Sequence, residues 1–196
     1  MPGPSKIVIE EYSPQWAEIF LQLKTVFEIK AGKFLSGIHH VGSTSVPGLP
    51  AKPIIDIDLV IDEKEHFGPV KSILDDLGYD HAGDLGIDER EVFKRRDEFV
   101  PWGETQREWP LHNLYVCRNS ITALKNHLAF RDYLRENPVK RDEYGALKKQ
   151  IAAAHPHDID AYVREKTDFV IKALRAKGFS EEELSGIIAQ NKAIGR

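Results

Sequence analysis

The segment from His39 to Asp62, HHVGSTSVPGLPAKPIIDIDLVID, constrains this chain more than any other. Its second half is Ile- and Val-rich, is bounded by Pro53 and a charged run, and reads as a strand over 54–62. Successive strand side chains point to opposite faces, so Asp56 and Asp58 share one face while Ile55, Ile57, Leu59 and Ile61 form the other. Ile54 and Val60 flank the two carboxylates, so their face is also expected to be covered. Two like charges about 7 Å apart on a half-covered face repel each other and lose hydration. A hard cation such as Mg²⁺ relieves both costs, which makes Asp56 and Asp58 candidate metal ligands. The first half, Gly42 to Lys52, is a small-residue loop with three hydroxyls, Ser43, Thr44 and Ser45, and one lysine. It has the composition of an anion cradle, and a cation site beside an anion cradle suggests a phosphate-bearing ligand.

The spacing is informative. An apolar residue, Gly42-Ser43, twelve intervening residues and then Asp-Ile-Asp-Leu resembles the signature of the DNA-polymerase-β-like nucleotidyltransferases. The wording "HHVGSTSVPGLPAKPIIDIDLVI" resembles the GrpB family, which also occurs fused to dephospho-CoA kinases. The likeness extends to "EYSPQWAEIF", "LHNLYV" and "HLAFRDYLRENP". It implies an α+β nucleotidyltransferase-like fold, in which the Gly-Ser turn meets phosphates and the paired carboxylates hold magnesium. On that resemblance Asp56, Asp58 and His112 are candidate catalytic residues. Gly42, Ser43, Thr44, Ser45, Lys52, Arg90, Asn113, Arg131, Lys149 and Lys166 are candidates for phosphate binding. One departure stands out. Active members of the superfamily usually carry a third carboxylate on a later strand, and here that strand, 111–117, offers His112 and Asn113. His112 is then the candidate base and Glu91 the substitute acid.

The rest of the chain reads as one domain of 196 residues with a strand-rich part, 1–117, and a helical part, 118–196. Ile7 to Glu10 reads as a short strand. Ser13-Pro14 opens a helix carrying Trp16, Phe20, Leu23 and Phe27 at helical spacing. His39 and His40 lie on a strand that enters the loop and must face opposite ways; His40 is weighed as a site residue against a structural role. Phe67 to Leu77 predicts a second helix closed by Gly78, and 90–96 a strand. Asp97 to Pro110 reads as a long loop. Helical periodicities follow from Ser120, with breaks at Asn137-Pro138 and at His155-Pro156-His157. Ser180 with Glu183 forms a capping-box pattern before a last helix.

The net charge of −4 is unevenly spread. Residues 1–117 hold 12 Lys/Arg against 20 Asp/Glu, and 118–177 hold 13 against 8. Two halves of opposite sign facing each other suit a metal–phosphate ligand better than a long nucleic acid, which needs a wide basic surface. A single cysteine, Cys117, makes no internal disulfide, and neither an apolar leader nor a membrane-length apolar run occurs. A cytoplasmic location with no membrane partner is expected. Three functions are compatible with these features. One is a Mg²⁺-dependent nucleotidyl- or phosphotransferase that takes a nucleoside triphosphate and a small acceptor. The others are a catalytically silent nucleotide-binding or sensing domain, and an accessory module of a coenzyme A kinase.

Overall fold

In the computed structural model, residues 6–87 and 89–193 are described. The reading of Met1 to Ser5 as free of an apolar leader falls outside them. The fold is α+β: a mixed five-stranded sheet followed by four helices. The strands are β1 (Gly37–Val41), β2 (Ile55–Ile61), β3 (Tyr79–His81), β4 (Arg90–Arg95) and β5 (His112–Arg118), in the spatial order β1-β2-β5-β4-β3. Only β2 and β5 run parallel; the other three pairings are antiparallel. Helices α1 (Gln15–Ala31) and α2 (Phe67–Asp76) belong to the sheet-bearing part. Helices α3 (Thr122–Glu136), α4 (Pro138–Ala154), α5 (Ile159–Ala176) and α6 (Glu181–Ala193) form the helical part. No described helix is long and apolar enough to cross a membrane.

Strand β2 is central, and its alternation decides which way the sheet faces. Ile55, Ile57, Leu59 and Ile61 are all at most 2% exposed and pack against Leu23, Phe27, Val70 and Leu74 of α1 and α2. Burying each contributes roughly 1.5–3 kcal/mol, so a register slip of one residue, which would turn all four outward, costs far more than any gain in hydrating the aspartates. The carboxylates are therefore forced onto the opposite face. That face is covered by α3, whose Leu124, together with Ile121 at the helix N-cap, packs on Val60 and Cys117.

Two local expectations differ. Residues 7–10 form no strand; a single bridge joins Glu10 to Ala51, and Ile7 instead packs on Ile151 and Tyr162. Strand β3 carries no sequence alternation long enough to announce it. It exists because Gly78, at φ +92°, turns α2 back along β4. The capping box at Ser180 is formed in both directions, with Glu183 N–H donating to Ser180 Oγ (3.2 Å) and Ser180 N–H to Glu183 Oε2 (2.7 Å).

Candidate functional site

The turn after β1 carries the first part of the site. Gly42 has φ +67° and ψ −174°, a region essentially restricted to glycine, and a short 3₁₀ turn over Ser43–Ser45 follows. The hydroxyls there divide their work. Thr44 Oγ1 donates to Ile54 O (3.0 Å) and lies 3.0 Å from His40 Nε2, which is its donor. Ser45 Oγ donates to Gly42 O at 2.6 Å. Both thus fasten the loop on itself. Ser43 Oγ has no protein partner among the described residues, and Ser43 lines the cavity described below.

Four basic side chains from the helical half hold the end of β1 and the loop after it by their carbonyls. Arg131 donates to His40 O, Arg135 twice to Ser45 O, Arg141 to Pro47 O and Lys148 to Pro50 O. Gly145 allows the approach, since a β-carbon there would meet Pro50 Cδ at 2.9 Å. These contacts seat the loop between β2 and helices α3 and α4.

Beneath the loop, the parallel pairing of β2 with β5 sets Asn113 beside Asp56 and Tyr115 beside Asp58. Asn113 Nδ2 donates to Asp56 Oδ1 at 2.7 Å. Burial raises the pKa of Asp56; the Asn113 hydrogen bond, His127 and Lys52 oppose that, and the Asp58 charge adds to it. Asp58 is fully buried. His127 of α3 donates from Nδ1 to its Oδ2 at 2.8 Å, and Oδ1 has no partner. Burial works against a charged His127, but Asp58 outweighs it by charge and hydrogen bond, and the pKa of the imidazole is raised.

A cavity of about 320 Å³ opens between this face of the sheet and helices α3, α4 and α5. Gly42, Ser43, Thr44, Lys52, Asp56, Asn113, Arg131 and Lys166 all line it, so the fold brings eight of the sequence-derived candidates together. The Lys52 ammonium lies 5.5 Å and that of Lys166 4.2 Å from the centre of the Tyr162 ring. Neither makes a hydrogen bond or ion pair among the described residues. Burial lowers the pKa of both; for Lys166, burial and then Lys52 bring it down to about 8, against the pull of Asp56. Arg131 is less free, because its guanidinium also pairs with the adjacent Asp132 (2.7 Å).

Other candidates lie elsewhere. His112 is on the opposite face of the sheet, since one residue along a strand reverses the side chain. There its Nε2 lies 2.6 Å from Tyr79 Oη and its Nδ1 accepts no role at the cavity, being 3.0 Å from Pro110 O. Its reading as a base at this site is corrected on that ground. Glu91 is on the same wrong face, paired with His81. Lys149 points to the surface, where it pairs with Glu11; the residue before it, Lys148, is the one turned inward, at 1% exposure. Ser45 is part of the loop fastening. Arg90 lies on the aspartate face but stacks on Tyr115 at 4.7 Å, away from the cavity wall. His40 is structural, stacked on Phe20 with ring centres 4.7 Å apart.

The sequence reading missed His127, Tyr162 and Lys148. The first two were within reach: His127 precedes Arg131 by four residues and Tyr162 precedes Lys166 by four, so each shares a helix face with a named candidate.

The comparisons with known proteins agree with the fold. The sequence profile described as "GrpB protein" matches residues 6–176. The chain is similar to the UPF0157 protein YqkA of Bacillus subtilis, at 34% identity over 165 residues, 84% of this chain but only 45% of that one. It is also similar to the glutamate-rich protein GrpB of Alkalihalophilus pseudofirmus, at 32% identity covering 86% of this chain and 94% of the relative. The crystal structure of the conserved protein GrpB from Enterococcus faecalis superposes with a TM-score of 0.72 at 32% identity, covering 92% of this chain and 99% of that one. With a similar fold at 32% identity and a family match over most of its length, this chain belongs to the GrpB family.

Proposed function

We propose that the cavity binds a phosphate-bearing small molecule, a nucleoside triphosphate by preference, together with Mg²⁺, and that the site transfers a nucleotidyl or phosphoryl group to a small acceptor. One observation carries the reading. Lys52 and Lys166, both over the Tyr162 ring and without a hydrogen bond or ion pair among the described residues, stand in one cavity beside Asp56 and the Gly42 turn. Two desolvated ammonium groups around one ring repel each other, and a multiply charged anion relieves that cost.

The roles follow from position. The turn at Gly42 and Ser43 lets the backbone approach phosphate oxygens without a side chain between. Lys52 and Lys166 are the principal cationic clamps. Arg131, already shared with Asp132 and the loop, contributes less charge. Phosphoryl transfer asks the protein chiefly for alignment and for positive charge where negative charge develops, which this arrangement can provide.

The donors present accommodate one Mg²⁺ rather than two. Asp56 faces the cavity, whereas Asp58 is sealed beneath it and taken by His127. Among the described residues, no three His, Cys, Asp or Glu side chains gather as a metal cluster. Mg²⁺ commonly takes one or two carboxylates and completes its shell with water and substrate phosphates. Asp56 would therefore hold it, with the ligand supplying the remaining oxygens. When bound, the ion would neutralise developing phosphate charge. A long nucleic acid is not part of the reading.

The test is thermal denaturation and calorimetric titration with nucleoside triphosphates, with Mg²⁺ or with EDTA. Stabilisation by the Mg²⁺–triphosphate complex, lost in Asp56→Asn and Lys166→Met, is expected. Absence of any response in the wild type would refute the proposal. Binding without turnover of a labelled triphosphate would leave the silent-sensor reading in its place.

A further inference from the structure

The buried pair formed by Asp58 and His127 is the part of the site that phosphate binding does not use. Asp58, at 0% exposure, is the most deeply buried carboxylate near the cavity, and helix α3 spends a histidine on it. The bond runs from Nδ1 to Oδ2, so in the neutral imidazole the lone pair is on Nε2. His127 lines the cavity, and its Nε2 has no hydrogen-bond partner among the described residues. The other two buried histidines near the loop are different: His40 gives its Nε2 to Thr44, and His112 has both ring nitrogens occupied on the far face.

We infer that His127, oriented by Asp58, is the general base of this site, and that the acceptor is a hydroxyl compound. The inference rests on the phosphate-ligand reading above. Its geometric basis is the arrangement by which a buried carboxylate fixes the tautomer and direction of a catalytic imidazole. The groups around the ring are Asp58 and Asp56 from β2, Arg90 from β4 and the Tyr115 ring from β5. Among the described residues Asp56, the proposed Mg²⁺ ligand, is the one carboxylate that lines the cavity, so no other acid competes for the role.

The step balances as follows. Nε2 of neutral His127 takes the hydroxyl proton while the acceptor oxygen forms a bond to the α-phosphorus of the triphosphate. The bond from that phosphorus to the bridging oxygen breaks, and pyrophosphate leaves with the electron pair. The imidazolium, held by Asp58, then returns its proton to solvent. An acceptor that is already an anion, such as a phosphate or carboxylate, has no proton to give and would not need this base. A sugar hydroxyl, another alcohol or water does.

The full chain should be tested with Mg²⁺–ATP and the other common nucleoside triphosphates. Binding is followed by calorimetry, and pyrophosphate release from about pH 5.5 to 9, with water alone and with glycerol as a hydroxyl acceptor. In His127→Gln, binding is expected to stay within about threefold of wild type while release falls by about 10²–10⁴-fold. Asp58→Asn should also slow release with binding retained; if that variant does not fold, His127→Gln decides alone. Release by His127→Gln within about threefold of wild type overturns the inference. So does a wild type that binds a triphosphate and releases nothing, an outcome that leaves the ligand reading standing. A wild type that binds no triphosphate removes both.

Discussion

A β-carbon added to Gly42 would stand 2.1 Å from Asp56 Oδ2. The turn thus packs against the cavity-facing carboxylate with no room for a side chain between them. Gly42→Ala meets two costs at once. The backbone is held where a non-glycine residue costs about 1–3 kcal/mol, and the new methyl must displace Asp56. A loss of stability of at least that size in urea denaturation is expected, together with loss of Mg²⁺-dependent ligand binding. A variant as stable as wild type would show that the turn relaxes freely.

The two aspartates should respond differently to neutralisation. Burial holds the pKa of Asp56 above its ordinary value, so its charge is unfavourable in the empty protein. Asp56→Asn is expected to leave stability in EDTA unchanged or slightly higher, and to remove the response to Mg²⁺ and triphosphate. Asp58→Asn removes the charge from the acceptor of the His127 hydrogen bond in a fully buried place and should cost about 1–3 kcal/mol in the same buffer. Equal effects of the two substitutions in EDTA would contradict this division.

Among the described residues, the counter-charge acting on Lys52 and Lys166 is Asp56. Replacing either with Met should leave the empty protein as stable or more stable, because a buried charge is removed. Affinity for an anionic ligand should fall roughly 10–100-fold for each. The pH dependence of binding has a definite sign. Lys166 loses its proton as pH rises through about 8, so affinity should decline above that pH in the wild type and not in Lys166→Met. Calorimetric titration on either side of that pH checks it.

Lys148 provides a stability measurement independent of any ligand. Burial, then the charges of Lys166 and Lys52, lower its pKa to about 6. The unfolded chain, with an ordinary lysine pKa, binds more protons than the folded protein above about pH 6, so stability should rise with pH across the range from about 6 to 8. The rise attributable to this residue is on the order of 2 kcal/mol, and it should be missing in Lys148→Met. Urea midpoints for the two proteins across that range test it.

His112 gives the control. Tyr79→Phe removes the hydroxyl 2.6 Å from His112 Nε2 and should cost about 1–3 kcal/mol while leaving triphosphate binding unchanged, since both residues lie behind the sheet. Loss of binding without loss of stability would return His112 to the site.

Much of this molecule was legible in the chain itself. The alternation Ile55, Ile57, Leu59, Ile61 against Asp56 and Asp58 specifies the face on which the carboxylates lie, because apolar burial decides strand register. The Ser13-Pro14 opening, Asn137-Pro138 and the Ser180–Glu183 box mark helix ends through backbone chemistry that acts within a few residues. The Gly-Ser turn with its following strand, read together with the helical candidates Arg131 and Lys166, named part of the cavity wall. What no local pattern holds is the partner across the sheet or across the cleft. His112 and Asn113 are equally good polar residues in sequence, and only the β2–β5 register, set by the packing of both strands, turns Asn113 to Asp56 and His112 away. Lys148 and Lys149 differ by one helical step, about 100°, which puts one against the loop carbonyls and the other in water. The meeting of His127 with Asp58, 69 positions apart, depends on how α3 lies over the sheet. Side-chain periodicity is written in the chain, but the docking of one element on another is decided by the sum of contacts distant in sequence, and the candidate chemistry of this site lies in those contacts.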